Sequence, residues 1–288
     1  MSDKMVMQAP SLAQQIIRRR IVKVIIYVFL IAYAGGCLFP FLWSIMSSFK
    51  SSDAVLVYPF RPPIEWKWTN YPNAWVKAKM GMYFFNTAMY AIIATGILLV
   101  ISPMASYVIG RVKKSNLLYL YYTLGIMIPV HTILLPSYIF ARQLHIVNTR
   151  LSIILVYIAF NLSMSVFILT GFMKSIPKEL EEAAIIDGCG RTRTFFSIIF
   201  PLSKPGLATI GTLAFLSNWN DYLVPLIFLT NSKLKVITLG IQELKGLYIQ
   251  DLGLITAGIV LSFLPVVVIY IIFQEQVIKG LTAGAVKG

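Results

Sequence analysis

Apolar residues run through this chain in six long blocks, roughly 22–46, 82–109, 117–141, 151–173, 206–230 and 254–277. Each is long enough to cross about 30 Å of hydrocarbon as a helix. Tyr and Pro dilute the third block, so it is the weakest of the six. Five blocks carry interior prolines: Pro40, Pro103, Pro129 with Pro136, Pro225 and Pro265. Each proline removes one N–H and frees the carbonyl four residues earlier. In a bilayer such freed groups need protein or water partners. The pattern predicts an all-α membrane protein of six kinked helices, bent either for packing or to border a water-lined path. No repeat of 20–50 residues interrupts it.

One polar stretch between blocks four and five has its own helical signals, Pro177-Lys178-Glu179-Leu180-Glu181-Glu182-Ala183-Ala184-Ile185-Ile186-Asp187-Gly188. Pro177 suits a first helical position. Glu179, Glu181 and Glu182 favour the positive end of the helix dipole. Ala183 and Ala184 are strong helix formers, and Gly188 and Gly190 supply a stop. A helix this short is unstable alone, so something must hold it. From these signals alone it is either a surface helix on the membrane or a place where a partner pushes.

Composition sharpens the picture. The chain has 288 residues, 58% of them hydrophobic and 12% charged, with a mean hydropathy of +0.77. A soluble chain carries about 25% charged residues, so several soluble domains are excluded. The net charge of +14 lies between apolar runs and shows no basic face with interleaved aromatics, which argues against nucleic acid. Lys and Arg instead orient the spans: with the N-terminus inside, 15 of the 25 fall on the inner side, including the clusters Arg18–Lys23 and Arg111–Lys114. Both termini and the Glu182 loop are then expected in the cytoplasm. The expected division is a tail at 1–20, a membrane domain at 21–279 with the polar loop at about 174–205, and a tail at 280–288. Cys37 and Cys189 fall in different parts of this plan, so no disulfide is expected, and no Cys/His cluster has zinc spacing. Ala34-Gly35-Gly36-Cys37 faintly resembles a lipoprotein cleavage box, but apolar sequence continues past it, so it reads as span.

Few residues could carry chemistry. Asp221, within Ser217-Asn218-Trp219-Asn220-Asp221-Tyr222, is the clearest ionisable group inside a span. It lies roughly 13 Å from the outer end at helical rise. Such a group usually faces the bundle interior, and Pro225 frees its carbonyl as well. Asn218, Asn220, Asp221 and Tyr222 are therefore candidates for helix packing or for lining a path. His131 reads as a packing histidine, His145 as a loop residue, and Asn86 and Asn161 as interhelical hydrogen-bonders. The outer segment 47–81, with Trp66, Trp68 and Trp75, suits the membrane interface or a docking surface. Gly206 to Gly211 has the glycine spacing of a P-loop, but Thr212 stands where the lysine must be. No Ser-x-x-Lys, Gly-x-Ser-x-Gly or His-Glu-x-x-His pattern supports catalysis. The chain reads as no enzyme, with no cofactor or metal of its own.

The polar loop also resembles a family motif. Binding-protein-dependent ABC importers carry a loop of the form E-A-A-x3-G-x9-I-x-L-P. Here it reads Glu182-Ala183-Ala184, Gly188, then Ile198-Ile199-Phe200-Pro201, with Phe200 the one departure. The Asn218–Tyr222 segment and the tail Lys279–Gly288 are similar to those of carbohydrate permeases of the maltose-permease second-subunit type. The resemblance implies a MetI-like permease fold in a cell membrane and a role as one permease of a sugar importer. It implies as partners a homologous permease, two ATPases that hold ATP and Mg, an outer solute-binding protein, membrane lipid and the sugar. It implies an ATPase-coupling surface at Glu181, Glu182, Ala183, Ala184, Asp187, Gly188 and Arg191. It also implies binding-protein contacts from the loop Gln242, Glu243, Lys245 and Gly246. A gradient-driven secondary transporter is the alternative, though it would call for inverted repeats and more buried acids. A membrane enzyme is a third class, without a catalytic constellation to support it.

Overall fold

The computed structural model describes residues 12–112, 115–248 and 250–285, with side-chain surroundings for residues 18–275 of these. Every regular element among them is helical. The first helix, α1 (Leu12–Ser48), keeps Pro40 inside it. The second, α2 (Met80–Tyr107), runs through a single π-turn to Val112. Next come α3 (Asn116–Met127) and α4 (Val130–Gln143), then α5 (Arg150–Ser175) and the short α6 (Glu179–Ile186). The chain ends with α7 (Lys204–Asn220), α8 (Leu223–Phe228), α9 (Ile237–Leu247) and α10 (Leu252–Ala285). Four stretches are long and apolar enough to span a membrane, or up to six if each of two bent pairs counts as one.

Two of the six expected spans differ from unbroken helices. The block at 117–141 turns by 99° between α3 and α4. Ile128 precedes a proline, which disfavours the helical region for it, and it is extended at ψ 119°. The block at 206–230 stops at Asn220. Asp221 is extended at ψ 134°, and a new short helix starts at Leu223. The proline rule explains the break. Pro225 has no N–H for the Asp221 carbonyl, and Thr238 Oγ1 donates to that carbonyl instead at 2.7 Å. On the other side, Arg191–Leu202 joins α7 at a 71° bend.

Within the bilayer helices are held by packing and hydrogen bonds rather than by escape from water. Here α2 lies centrally against α5, and α7 and α10 close the bundle; α1 leans chiefly on α10. The buried side chains form three groups. Tyr90, Ile153, Tyr157, Val224 and Phe228 make one, and Met80, Tyr83, Ile237 and Leu244 a second. Tyr107, Met173, Ile176, Phe195 and Ile199 make the third, at the end that carries α6. Gly240 permits the second group, because a Cβ there would stand 2.3 Å from the Tyr83 ring.

The segment between α1 and α2 is folded down rather than loose. Lys50 is 2% exposed, and its ammonium donates to the carbonyls of Tyr58 and Pro59, both at 3.0 Å. Burial lowers its pKa from the usual lysine value. Asn70 Nδ2 donates to Ser48 O and Lys50 O, and Trp43 Nε1 to Pro59 O. Trp66 and Trp68 stay exposed and stack beside the Phe49 ring.

Candidate functional site

The acidic stretch forms α6, slightly shorter than its signals suggest. Pro177 lies before the helix rather than in its first position, and Lys178 occupies the N-cap. The stop is a full Schellman motif. Gly188 has φ +77°, its N–H reaches Ile185 O at 3.0 Å, and Cys189 N–H reaches Ala184 O at 2.8 Å. The motif residues face different ways. Ala184 is buried and Glu181 half-buried, whereas Glu182, Ala183, Asp187, Gly188 and Arg191 are exposed. Leu180, Ile185 and Ile186 are exposed as well, Ile186 at 84%. An eight-residue helix therefore offers an apolar and acidic surface with none of the described residues on it.

What holds it is Arg111, which the sequence reading counted only as an inner charge. It sits in the π-turn that ends α2 and is buried. Its Nε donates to Glu181 Oε1 at 3.0 Å, its Nη1 to Ile176 O at 2.8 Å and its Nη2 to Pro177 O at 3.3 Å. One side chain thus ties the end of α2, the end of α5 and the start of α6. Arg111 closes an apolar run and was therefore legible as a boundary, but no spacing rule links it to Glu181, 70 residues away.

The span-five candidates separate into two roles. Asn218 is buried packing: it accepts from Asn161 Nδ2 at 3.0 Å and faces Thr95 Oγ1 at 3.5 Å. Asn220 is exposed, and Tyr222 half-buried. Asp221 Oδ1 accepts from Leu223 N at 3.1 Å, a side-chain turn just ahead of α8, whose N-cap is Tyr222. The second Asp221 oxygen, Oδ2, is buried beside the buried hydroxyl of Tyr157 on α5, its partner across the helix gap. Both line a cavity of about 190 Å³ with Val130, Phe160, Asn161, Ser217 and Asn220. Tyr157 was not singled out from sequence, since a tyrosine in an apolar run reads as packing. Asn86 differs from its expectation: it holds the loop carbonyls of Lys233 and Lys235, each at 2.9 Å, rather than another helix. His131 is exposed within this chain.

At the opposite end, α9 presents Gln242, Lys245 and Gly246 outward. Glu243 turns inward instead. It accepts from the Tyr83 hydroxyl at 2.6 Å and pairs with Lys235. Burial alone would raise its pKa, but the hydrogen bonds from Lys235 and Tyr83 and the nearby positive charges together hold it below the usual value. No group of His, Cys, Asp and Glu among the described residues could hold a metal ion.

Residues 98–282 match the family described as binding-protein-dependent transport system inner membrane component. The chain is 33% identical to a diacetylchitobiose uptake system permease of Streptomyces coelicolor, over 90% of this chain and 87% of that one. It is 33% identical to a trehalose/maltose transport system permease of Thermococcus litoralis, over 88% and 92%. It is 35% identical to a melibiose/raffinose/stachyose import permease of Bacillus subtilis, over 78% and 83%. In fold it is similar to a chain of a bacterial ABC transporter involved in the import of the acidic polysaccharide alginate. That match has a TM-score of 0.77 at 22% identity and covers 93% of this chain and 99% of that one.

Proposed function

The chain belongs to the binding-protein-dependent transport system inner membrane components and is a permease subunit of an ABC importer; from that premise we propose how it works. Its cargo is a sugar or short oligosaccharide, as the names of its relatives suggest for them. It pairs with a homologous permease, takes cargo from an outer solute-binding protein, and is driven by two cytoplasmic ATPases that hold ATP and Mg. Both termini and α6 lie on the cytoplasmic side of the membrane, where the basic clusters fall.

In this reading α6 is the lever. Glu182, Ala183, Asp187, Gly188 and Arg191, with Ile185 and Ile186, meet the ATPase. Glu181 faces the other way, to Arg111. A displacement of α6 passes through one buried guanidinium to the ends of α2 and α5 at once. Such a push shifts the inward–outward equilibrium only if the ATPase contacts differ between the two states. At the far end Gln242, Lys245 and Gly246 meet the binding protein, and Glu243 keeps α9 in place. Asn220 and Asp221 border the path.

The observation that carries the reading is the exposed apolar tip of α6 on a helix that Arg111 straps to the ends of α2 and α5. The experiment is a crosslink. With Cys37 and Cys189 replaced by alanine, Ile186→Cys should crosslink to an ATPase subunit of the assembled importer. A cysteine there that meets no ATPase, or that an impermeant reagent labels from outside the cell, overturns the reading.

A further inference from the structure

Just past the C-terminal end of α1 the chain folds around a pocket that carries more positive charge than it balances. The pocket holds about 220 Å³ and is lined by Lys50, Arg61 and Lys67, with Glu65 the one carboxylate on its wall. Lys50 is 2% exposed, and its ammonium donates to the Tyr58 and Pro59 carbonyls. Those carbonyls are neutral, and no carboxylate among the described residues pairs with Lys50. A buried charge without a counter-ion is costly, so the pocket calls for an anion.

The frame is fixed by the backbone. Lys67 N–H donates to Phe49 O at 2.8 Å, which brings residue 67 back beside residue 50. Arg61 N–H donates to Tyr58 O at 3.3 Å, and its guanidinium lies 5.1 Å from the centre of the Tyr58 ring. Pro62 and Pro63 then lock φ through the turn. Around this charge stand exposed apolar side chains, Val57, Phe60 and Ile64. Phe60 packs on Phe39, ring centres 6.0 Å apart, and Phe39 belongs to the exposed apolar wall of α1. Trp66 and Trp68 are exposed beside it. Such rings gather at headgroup level, so the pocket opens where lipid phosphates lie.

We infer that this pocket holds the phosphodiester of an anionic phospholipid, whose acyl chains run down the exposed wall of α1. Arg61 and Lys67 make charge-assisted hydrogen bonds to the phosphate oxygens, and the Lys50 ammonium supplies the charge behind them. Three cations against one carboxylate favour a net negative headgroup over a zwitterionic one. The volume falls short of the roughly 300 Å³ at which drug-sized pockets begin, so it takes a headgroup and not a disaccharide. The segment lies at the start of α2, whereas Arg111 ties α6 to the end of α2. The lipid therefore sits in the leaflet remote from α6, and the importer reading enters only in calling that leaflet the outer one.

The test is native mass spectrometry of the assembled importer released from detergent. Palmitoyl-oleoyl phosphatidylglycerol is titrated in parallel with palmitoyl-oleoyl phosphatidylcholine and with inorganic phosphate. Lys50→Met would also strip two carbonyls of their donor, so the exposed rim residues carry the test. Phosphatidylglycerol should bind more tightly than phosphatidylcholine. Arg61→Gln with Lys67→Gln should lower its affinity at this site at least about tenfold, the scale of one lost charge-assisted hydrogen bond. Arg61→Lys with Lys67→Arg keeps the charge and should keep the lipid. Lys77→Gln with Lys233→Gln, exposed lysines outside the pocket, should bind as the parent does. Equal binding of the two lipids, undiminished binding by the glutamine rim variant, or inorganic phosphate taken in place of the lipid overturns the site. So does a rim variant that loses the solute-binding protein but keeps its lipid, which would give the pocket to a protein carboxylate. Binding is read without transport, so its failure leaves the importer standing. A complex that takes up no sugar would remove the importer reading and leave the lipid measurement untouched.

Discussion

Arg111 and Glu181 form an ion pair at 3.0 Å, with 3% and 18% of their side chains exposed. The other two guanidinium nitrogens are committed to Ile176 O and Pro177 O. Arg111 is thus a fixed joint rather than a surface charge. Arg111→Ala should destabilise this corner by about 3 kcal/mol, the low end for breaking a buried pair. ATP hydrolysis by the assembled complex should then no longer follow sugar uptake. The paired reversal Arg111→Glu with Glu181→Arg should restore only part of the coupling, because a glutamate cannot donate to the two carbonyls. Measuring hydrolysis and uptake together on the same vesicles checks this.

Gly188 has open space around it, so a side chain there meets no clash. Its cost is backbone alone. At φ +77° an alanine should lose about 1–2 kcal/mol from the end of α6, and an asparagine less. Uptake per assembled complex should fall in the order Gly, Asn, Ala. Equal uptake by all three would mean that the end of α6 is not under load.

The turn that Asp221 makes ahead of α8 can be separated from its charge. Asp221→Asn keeps an oxygen for the Leu223 N–H and should retain nearly all the stability. Asp221→Ala should lose about 1 kcal/mol, one side-chain hydrogen bond to the backbone. Thermal unfolding of the two variants in detergent distinguishes them.

Glu243 gives a pH dependence with a definite sign. Its folded pKa lies below the ordinary 4.5, so its tie to Lys235 and Tyr83 contributes fully above about pH 4.5. The contribution is lost as the pH falls through the depressed value. The protection of the α9 amides, each rate taken relative to the unfolded rate at the same pH, should therefore fall on acidification below about pH 4.5, and Glu243→Gln should remove that step. Protection in α9 that stays constant with pH in the parent protein would count against the tie.

Much of this was written in local chemistry. Gly188 announced a left-handed stop, and Pro225 announced a stranded Asp221 carbonyl. Both are properties of one residue and its near neighbours. The identity of the hydrogen-bond donor that rescues that carbonyl, Thr238, was not legible, because it comes from a later loop. Arg111 was hidden for the same reason. Glu243 was expected to face outward only through the family resemblance, and its inward turn depends on Tyr83 lying 160 residues away. Asp221 drew notice for its charge, whereas Tyr157 did not, since only burial makes its hydroxyl unusual.

The elbow at Ile128–Pro129 bears on how the whole subunit sits among its neighbours. Where α3 stops, its last carbonyls have no following turn to bond, and a bare carbonyl in lipid costs several kcal/mol. That corner must therefore look toward water or another polypeptide. The flank bearing Val130 and His131 is thereby marked as the wet or subunit-facing side, whereas α1, which exposes only apolar and aromatic side chains at Tyr27, Phe29 and Ile31, suits the fatty acyl chains.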